Sequence, residues 1–309
     1  MTDVYIALLS ETETEGAILN HERQAQIDAT RHPDVKKQRI AVWNTLLFGL
    51  SHSLGFTEAD IGLRHEPGGK WVSDACGISL SHCKTAVAAA IASDAVGVDI
   101  EPAEDGRYRE ALLDRIATDR ERERFRFLPT PQRVAAIWTR KEASFKRRGA
   151  DAFSPIAENA LSASVKTLLV TLDAPYMLSV ATEEELRLFW VRNGEAIPCT
   201  DLTVIAPQTP YAVYMLLCRG GRLYTGITTD LDRRVREHGG MKTGAKFTHA
   251  FPPERIAAAW ETDTKGNALK LEARIKKLTR ANKLLLIEQN AFDLFGGAIE
   301  PKAYRRIEV

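Results

Sequence analysis

Two stretches hold the residues best able to do chemistry: Val96-Gly97-Val98-Asp99-Ile100-Glu101 and Trp138-Thr139-Arg140-Lys141-Glu142-Ala143-Ser144-Phe145-Lys146. In the first, Val96, Val98 and Ile100 alternate with Gly97, Asp99 and Glu101, the period of a buried strand. Side chains on a strand change face at every residue, so Asp99 and Glu101 project the same way. Two carboxylates on one face repel unless a cation sits between them. An oxygen-only donor set suits a hard divalent ion such as Mg2+, which binds through one or two carboxylates plus substrate phosphates. In the second stretch, read as a helix, Glu142 and Lys146 are i, i+4 neighbours on one face. Three carboxylates and a lysine brought together make a phosphoryl-transfer centre. An exposed strand end and a solvated ion pair use the same residue types, so these stretches alone leave both readings open.

The elements that must position these residues are legible as patterns. Thr130 is placed as N-cap and Pro131 at N1 of the second helix, with Gly149 as its stop and Lys146, Arg147 and Arg148 complementing the C-terminal dipole. Val134, Trp138, Lys141 and Phe145 share a stripe, with Glu142 on its flank. Val4–Leu9 and Thr85–Ala92 read as strands. His21–Leu54 reads as a helix with an apolar face of Ile40, Val42, Trp43, Leu46, Leu47 and Leu50. Strands at Lys166–Asp173, Tyr176–Ala181 and Arg187–Val191 complete an α+β arrangement of two similar halves, about 1–93 and 94–205. Pro207-Gln208-Thr209-Pro210 is a stiff break, which sets domains at 1–206 and 211–290 with a tail at 291–309.

The second region opens with strand Tyr211–Leu217, a turn at Arg219-Gly220-Gly221 and return strand Leu223–Ile227. A helix from Leu231 to His238 follows, carrying Arg233, Arg234 and Arg236. From Pro207 onward there are 18 Lys and Arg against 11 Asp and Glu, a balance of +7 in a chain of net charge +1. The remainder is therefore −6, and the asymmetry suggests two domains with different partners, one a nucleic acid.

Gly-Val-Asp-Ile-Glu at 97–101, a gap of about forty residues and Trp-Thr-x-Lys-Glu-Ala-x-x-Lys at 138–146 resemble the two-part signature of the 4′-phosphopantetheinyl transferase superfamily, in its long, pseudo-dimeric type. The resemblance implies Mg2+ on Asp99, Glu101 and Glu142. It implies transfer of 4′-phosphopantetheine from coenzyme A to a serine of an apo acyl or peptidyl carrier protein. Glu142 takes the serine proton in that reading and Lys146 balances phosphate charge. Glu66-Pro67-Gly68-Gly69-Lys70-Trp71 resembles the family's Gly-Lys-Pro segment and Ile78-Ser79-Leu80-Ser81-His82-Cys83 its Ser-His-Ser segment, so Lys70, Ser81, His82 and Arg39 are implied to hold coenzyme A.

Residues 211–287 resemble the GIY-YIG nuclease domain, closest to its small bacterial stand-alone branch. The match includes Tyr214, Tyr224, Gly226, Arg234, His238, Gly244-Ala245-Lys246 and a helix from Ala268 to Leu278 with Glu272. Ala212-Val213-Tyr214 stands where Gly-Ile-Tyr is typical, and Phe247 and His249 where the branch often has tyrosine and arginine. The resemblance implies Glu272 as single metal ligand, Arg234 as phosphate clamp and Tyr214 activating water with Tyr224 and His238 in support. For Tyr214 to act as a base its pKa must fall, and the arginines are expected to lower it. DNA or RNA is the implied partner. Three readings compete: two working enzymes; a transferase with a domain that only binds nucleic acid; a nuclease with a transferase scaffold.

Hydrophobic content of 44% with 27% charged residues fits an ordinary soluble globular chain. Residues 1–16 have no basic n-region, the run 85–92 is too short to span a bilayer, and Cys76, Cys83, Cys199 and Cys218 show no paired spacing. These features predict a cytoplasmic monomer with free thiols and no membrane partner.

Overall fold

The computed structural model describes residues 1–14, 18–66, 69–149, 154–239 and 246–308, with Ala59, Gly239 and Lys246 described by backbone alone. Pro67, Gly68, Gly244 and Ala245, singled out above, lie outside the described residues, and so does the side chain of Lys246. The chain divides into two compact units, Met1–Pro207 and Gln208–Val309.

The first unit begins with β1 (Thr2–Leu8), α1 (His21–Asp28), α2 (Pro33–Leu54), β2 (Arg64–His65), β3 (Trp71–Val72), β4 (Gly77–His82), β5 (Ala86–Ala92) and β6 (Gly97–Pro102). It continues through α3 (Glu110–Ile116), α4 (Asp119–Arg124), α5 (Thr130–Arg148), β7 (Val165–Thr171), β8 (Pro175–Ala181), β9 (Leu186–Arg192), β10 (Glu195–Pro198) and β11 (Leu202–Val204). The single helix expected over 21–54 is broken at Ala29–His32, because Pro33 can begin a helix but cannot continue one.

Two larger sheets form, ordered β10-β9-β1-β5-β4 and β11-β7-β8-β6. Val4, Ile6 and Leu8 of the first meet Val98, Ile100, Leu178 and Val180 of the second in a shared core. Each sheet carries one long helix on its other face. Trp43, Leu46 and Leu50 of α2 cover Tyr5, Ala89 and Ile91, and Val134 and Ile137 of α5 share a core with Met177. This is an α+β unit of two alike halves. The halves are not the contiguous segments 1–93 and 94–205, however. β9 pairs in parallel with β1, Tyr5 opposite Phe189, so residues 186–198 belong to the first sheet. A strand's period tells which faces it buries, not which sheet receives it.

The two sheets meet along β4 and β6. Ser79 Oγ accepts the Val98 amide at 3.0 Å and Ser81 Oγ the Ile100 amide at 3.3 Å. Above this seam α5 lies directly on β6: a Cβ on Gly97 would stand 1.9 Å from the Ala143 carbonyl oxygen. Only glycine permits that approach. Thr130 does not cap α5. Pro129 holds the N-cap position, and the Thr130 hydroxyl donates to Glu110 at 2.7 Å.

The second unit contains β12 (Tyr211–Cys218), β13 (Arg222–Thr228), α6 (Leu231–Gly239), α7 (Lys246–Ala250), β14 (Pro253–Thr262), α8 (Lys265–Lys277), α9 (Arg280–Gln289) and β15 (Arg305–Ile307). Its antiparallel sheet runs β13-β12-β14-β15. Gly220 and Gly221, at φ 74° and 66°, make the turn from β12 to β13. One face packs Val213, Met215 and Trp260 against Leu271 and Ile275 of α8. Residues 291–308, expected as a tail, close this core: Phe292, Phe295, Ile299 and Tyr304 are buried in it and β15 pairs with β14. Their apolar residues follow neither helical nor strand period, since the segment is built of short turns. Among the described residues no helix is long and apolar enough to cross a membrane.

Candidate active sites

In the first unit β6 and α5 build the centre. Lys146, on the last turn of α5, donates to Asp99 Oδ1 at 2.6 Å and to the Val98 carbonyl at 3.0 Å. Ser81 donates to the same Oδ1 at 2.7 Å. Asp99 Oδ2 is buried with no hydrogen-bond partner among the described residues. Such an oxygen costs free energy unless something cationic or donating meets it. Glu101 is pushed up to about 7, first by burial and then by the charge of Asp99, against a bond from the Tyr108 hydroxyl at 2.8 Å. Glu142 is also raised, by burial and by Asp99, with Lys146 opposing. The corner has more negative charge than its one lysine neutralises.

The expected three-ligand set is not gathered: among the described residues no three His, Cys, Asp or Glu side chains stand together closely enough to hold a metal ion. Lys146 lies on Asp99 and Tyr108 on Glu101. The donor chemistry nonetheless fits Mg2+. All three candidates are carboxylates, one has an orphaned oxygen, and this ion keeps waters and substrate oxygens in most of its positions.

Ser81, expected to touch the cofactor, is buried and spent on Asp99 and the Ile100 amide, so it positions the carboxylate. His82, one residue on, is exposed at the strand end. Its imidazole is held down to about 4, first by poor solvation and then by Lys146, Arg23 and Arg39, with Asp99 opposing. Those influences place the basic residues around the same corner. Arg39 donates to the Gln26 carbonyl and to Thr30 Oγ1, both neutral. Lys70 lies against Gly149, where a Cβ would be 3.6 Å from its Nζ, and burial lowers its pKa.

Arg23 was not expected. It is 5% exposed, with its Cζ 5.2 Å from the Trp43 ring and 5.9 Å from the Trp71 ring. Nη2 donates to the Arg39 carbonyl at 2.7 Å, and Nε has no hydrogen-bond partner among the described residues. Burial and then Arg39 lower it to about 10. A buried guanidinium set beside a second one, with an unused donor, is a place for an anion. Its only sequence signal is an arginine four residues before Ile27, on the same face of a short helix.

Lys141 is the reverse case. The residue before Glu142 points away from the corner, fully buried against Glu121 Oε1 at 3.0 Å and the carbonyls of Ile156 and Glu158. Glu121 Oε2 in turn accepts the Thr118 amide, and Oε1 the Ala160 amide at 2.7 Å. The pair fastens α4 and residues 156–160 to α5.

In the second unit the sheet face opposite the α8 core carries Tyr214 and Tyr224, with ring centroids 6.4 Å apart. The Tyr214 hydroxyl bonds His238 Nε2 at 2.7 Å, and His238 Nδ1 bonds Thr248 Oγ1 at 2.9 Å. All three residues are buried. Gly226 makes room, since a Cβ there would stand 2.6 Å from the Tyr214 hydroxyl. Tyr224 stacks on Phe247 at 5.7 Å. Arg234 lies near enough to act on Tyr214, and its Nη1 donates to Glu237 at 2.8 Å. Glu272, on α8, is bound by Lys276 at 2.8 Å and lies near enough to act on Tyr214. The expected fall in the Tyr214 pKa is reversed. Burial pushes it up to about 12, and Arg234 only moderates the rise. Burial and Arg234 lower the His238 imidazole.

Residues 210–284 match the model of the GIY-YIG catalytic domain, and residues 95–190 that of the 4′-phosphopantetheinyl transferase superfamily. A UPF0213 protein of Syntrophus aciditrophicus is 44% identical over 78 residues, which are 25% of this chain and 90% of that protein. Through its second unit the chain belongs to the GIY-YIG family. The first carries a 4′-phosphopantetheinyl transferase superfamily domain. UPF0213 protein BH0048 of Halalkalibacterium halodurans is 43% identical over 75 residues, 24% of this chain and 79% of the relative. A solution structure of UPF0213 protein BH0048 from Bacillus halodurans, 32% identical, covers 28% of this chain and 93% of that one at a TM-score of 0.18.

The transferase match takes in Asp99, Glu101, Glu142 and Lys146, and the GIY-YIG match Tyr214, Tyr224, Arg234, His238 and Glu272. Arg23, Arg39, Lys70, Ser81 and His82 precede the transferase match, and the fold supplies their link to it.

Proposed function

We propose that the first unit moves the 4′-phosphopantetheine group of coenzyme A onto a serine of an apo acyl or peptidyl carrier protein and releases adenosine 3′,5′-bisphosphate. One observation carries this reading: an acidic corner with a carboxylate oxygen that has no hydrogen-bond partner among the described residues adjoins a group of basic residues. Asp99, Glu101 and Glu142 are the residues to hold Mg2+, which when bound neutralises charge on a pyrophosphate. Arg23, Arg39, His82 and Lys70 suit the anionic end of coenzyme A. Glu142, its carboxyl raised by burial, is the residue to take the serine proton as the serine oxygen bonds phosphorus. The bond from that phosphorus to the bisphosphate oxygen breaks, and Lys146 offsets the charge left there.

The test is mass spectrometry of apo carrier proteins incubated with coenzyme A, Mg2+ and the full chain or Glu142→Gln. Gain of the phosphopantetheine mass with the wild type, slowed about 10³-fold in the variant, is expected. No gain on any of several carriers would sink the proposal.

The Tyr214–His238 bond favours a second activity, cleavage of a phosphodiester in DNA or RNA by the GIY-YIG unit. Arg234 is the group to grip phosphate and Glu272 the residue to hold a divalent ion. Cutting of supercoiled plasmid with Mg2+, lost in Glu272→Ala, tests it. Binding without cutting would leave a nucleic-acid-binding domain.

A further inference from the structure

We infer that Ser179 is a positioning residue of the first unit's centre: through a buried chain of hydroxyls it fixes how α5 is set on its sheet, and with it the approach of Glu142 and Lys146 to Asp99. The consequence for transfer rests on reading this unit as a transferase, whereas the chain of hydroxyls is a property of the fold. Along β8, Leu178 and Val180 enter the core between the two sheets, so Ser179 faces the other way, toward α5. It stands directly across from Asp99 on β6 and from Thr167 on β7. Residues paired in this way share a face, so Thr167, Ser179 and Asp99 form one polar row under the helix. Their neighbours two along on β8, Met177 and Ala181, are apolar and buried. Thr139 Oγ1, on α5, is 2.7 Å from Ser179 Oγ, and Thr167 Oγ1 is 2.9 Å from the same oxygen. Arg140 Nη1 donates to Thr167 Oγ1 at 2.8 Å, and Thr139 Oγ1 to the Ala136 carbonyl at 3.3 Å. Thr139, Arg140, Thr167 and Ser179 are all buried.

A guanidinium only donates, and that of Arg140 is also held by the carbonyls of Ala160, Ser162 and Val165. With Thr167 donating to Ser179 and Ser179 donating to Thr139, each buried hydroxyl has an acceptor for its hydrogen and a donor for its oxygen. Loss of the Ser179 hydroxyl leaves Thr139 without its donor and Thr167 without its acceptor, and buried hydroxyls so stranded cost free energy. The contact of Ala143 with Gly97 sets how near α5 comes to β6. Apolar contact has no direction, however, and lets a helix roll. A hydrogen bond is directional. Glu142, Ala143 and Lys146 follow Thr139 by three, four and seven residues, which puts all four on one side of the helix. The Thr139–Ser179 bond therefore sets the roll that brings this side to β6, where Lys146 reaches Asp99 at 2.6 Å. The lysine stem is long and flexible and does not set that roll itself.

The experiment compares Ser179→Ala, Thr139→Val, the two together and Thr139→Ser in the full chain. Mn2+ affinity is read by titration calorimetry without coenzyme A, in a Glu272→Ala background that removes the expected ligand of the second unit. Transfer to an apo carrier protein is read as kcat and KM. Ser179→Ala and Thr139→Val should each weaken Mn2+ binding and lower kcat about tenfold. The double variant should lose no more than either single one, since both cut one link. Thr139→Ser keeps the hydroxyl and should keep both readouts near wild type. KM for coenzyme A should hold within about twofold, because Arg23, Arg39, Lys70 and His82 lie outside α5 and β8. A role in stability alone would lower the melting temperature and leave Mn2+ affinity as it was. That outcome in a folded Ser179→Ala overturns the inference, and so do losses that add in the double variant. If Ser179→Ala does not fold, Thr139 decides: equal losses in its valine and serine variants overturn the inference. Wild type that binds Mn2+ more tightly than Ser179→Ala yet transfers nothing upholds the inference and defeats the transferase reading.

Discussion

In the transferase unit Asp99 on a strand meets Lys146 on a helix, 47 residues apart in sequence, whereas in the GIY-YIG unit Arg234 and Glu272 each bond a partner on their own helix, three and four residues away. The first pair exists only if α5 sits on β6 as it does. The other two survive in any state that keeps α6 and α8. Exposed helical pairs are worth only about 0.3–0.5 kcal/mol and exchange readily for a ligand. The transferase site is thus held by packing and left with excess negative charge. In the GIY-YIG site a buried neutral relay is fixed, and its charges are parked nearby. A site can be prepared by fixing its charges or by fixing its proton path.

The contrast can be broken most forcefully at Gly97. Gly97→Ala drives a methyl into the Ala143 carbonyl, so α5 must lift and carry Glu142 and Lys146 with it. A loss of about 3 kcal/mol in chemical denaturation and of more than ~10²-fold in phosphopantetheine transfer is expected, with plasmid cutting unchanged. A fall in both activities would show that the packing of one unit governs both. A smaller effect comes from Tyr108→Phe, which leaves the fold intact and removes the bond to Glu101. Affinity for Mn2+, read by titration calorimetry without coenzyme A, should weaken about tenfold, as it does when a ligand's supporting hydrogen bond is lost. Unchanged affinity would take Glu101 out of the ligand set.

Acid should separate the units further. The His238 pKa is lowered in the folded state, so below the ordinary histidine value the unfolded chain takes up a proton that the native unit refuses. That stability is present above pH 6.5 and is lost as pH falls below it. Thermal melts of the GIY-YIG unit should therefore drop between pH 6.5 and 5, and His238→Gln should flatten the slope. The smallest effect belongs to Glu237→Gln. Freed of its ion pair, Arg234 should tighten binding of a short duplex about two- to threefold. Weaker binding would mean that Glu237 orients Arg234 for its phosphate.

Much of this contrast was legible beforehand, and the failures share a cause. Alternation put Asp99 and Glu101 on one face, and the fold keeps them on β6 with Glu142 and Lys146 close by. Tyr108 and Arg23 escaped notice because each sits in a stretch with no motif and reaches the site only through tertiary packing. Lys141 had the opposite fate: it stands beside a site residue in sequence, and helical rotation turns it into the core. The Tyr214 pKa was misjudged because the neighbouring arginines are visible in a sequence and the depth of burial is not. Phe292, Phe295, Ile299 and Tyr304 looked like a tail because turns bury side chains without period.

The return of β9 to β1 has a consequence for how the chain is made. Sheet one lacks an inner strand until residues 186–192 have left the ribosome, long after β1, β5 and β4 have emerged. Until then β1 has an unpaired edge open to other nascent chains, and the shared core lacks Leu188. The first unit therefore acquires its native topology in one late event, a pairing of strands some 180 residues apart that slows folding by its loop-closure entropy. The second unit, built mostly of neighbouring pairs, begins to emerge only a short length of chain afterwards.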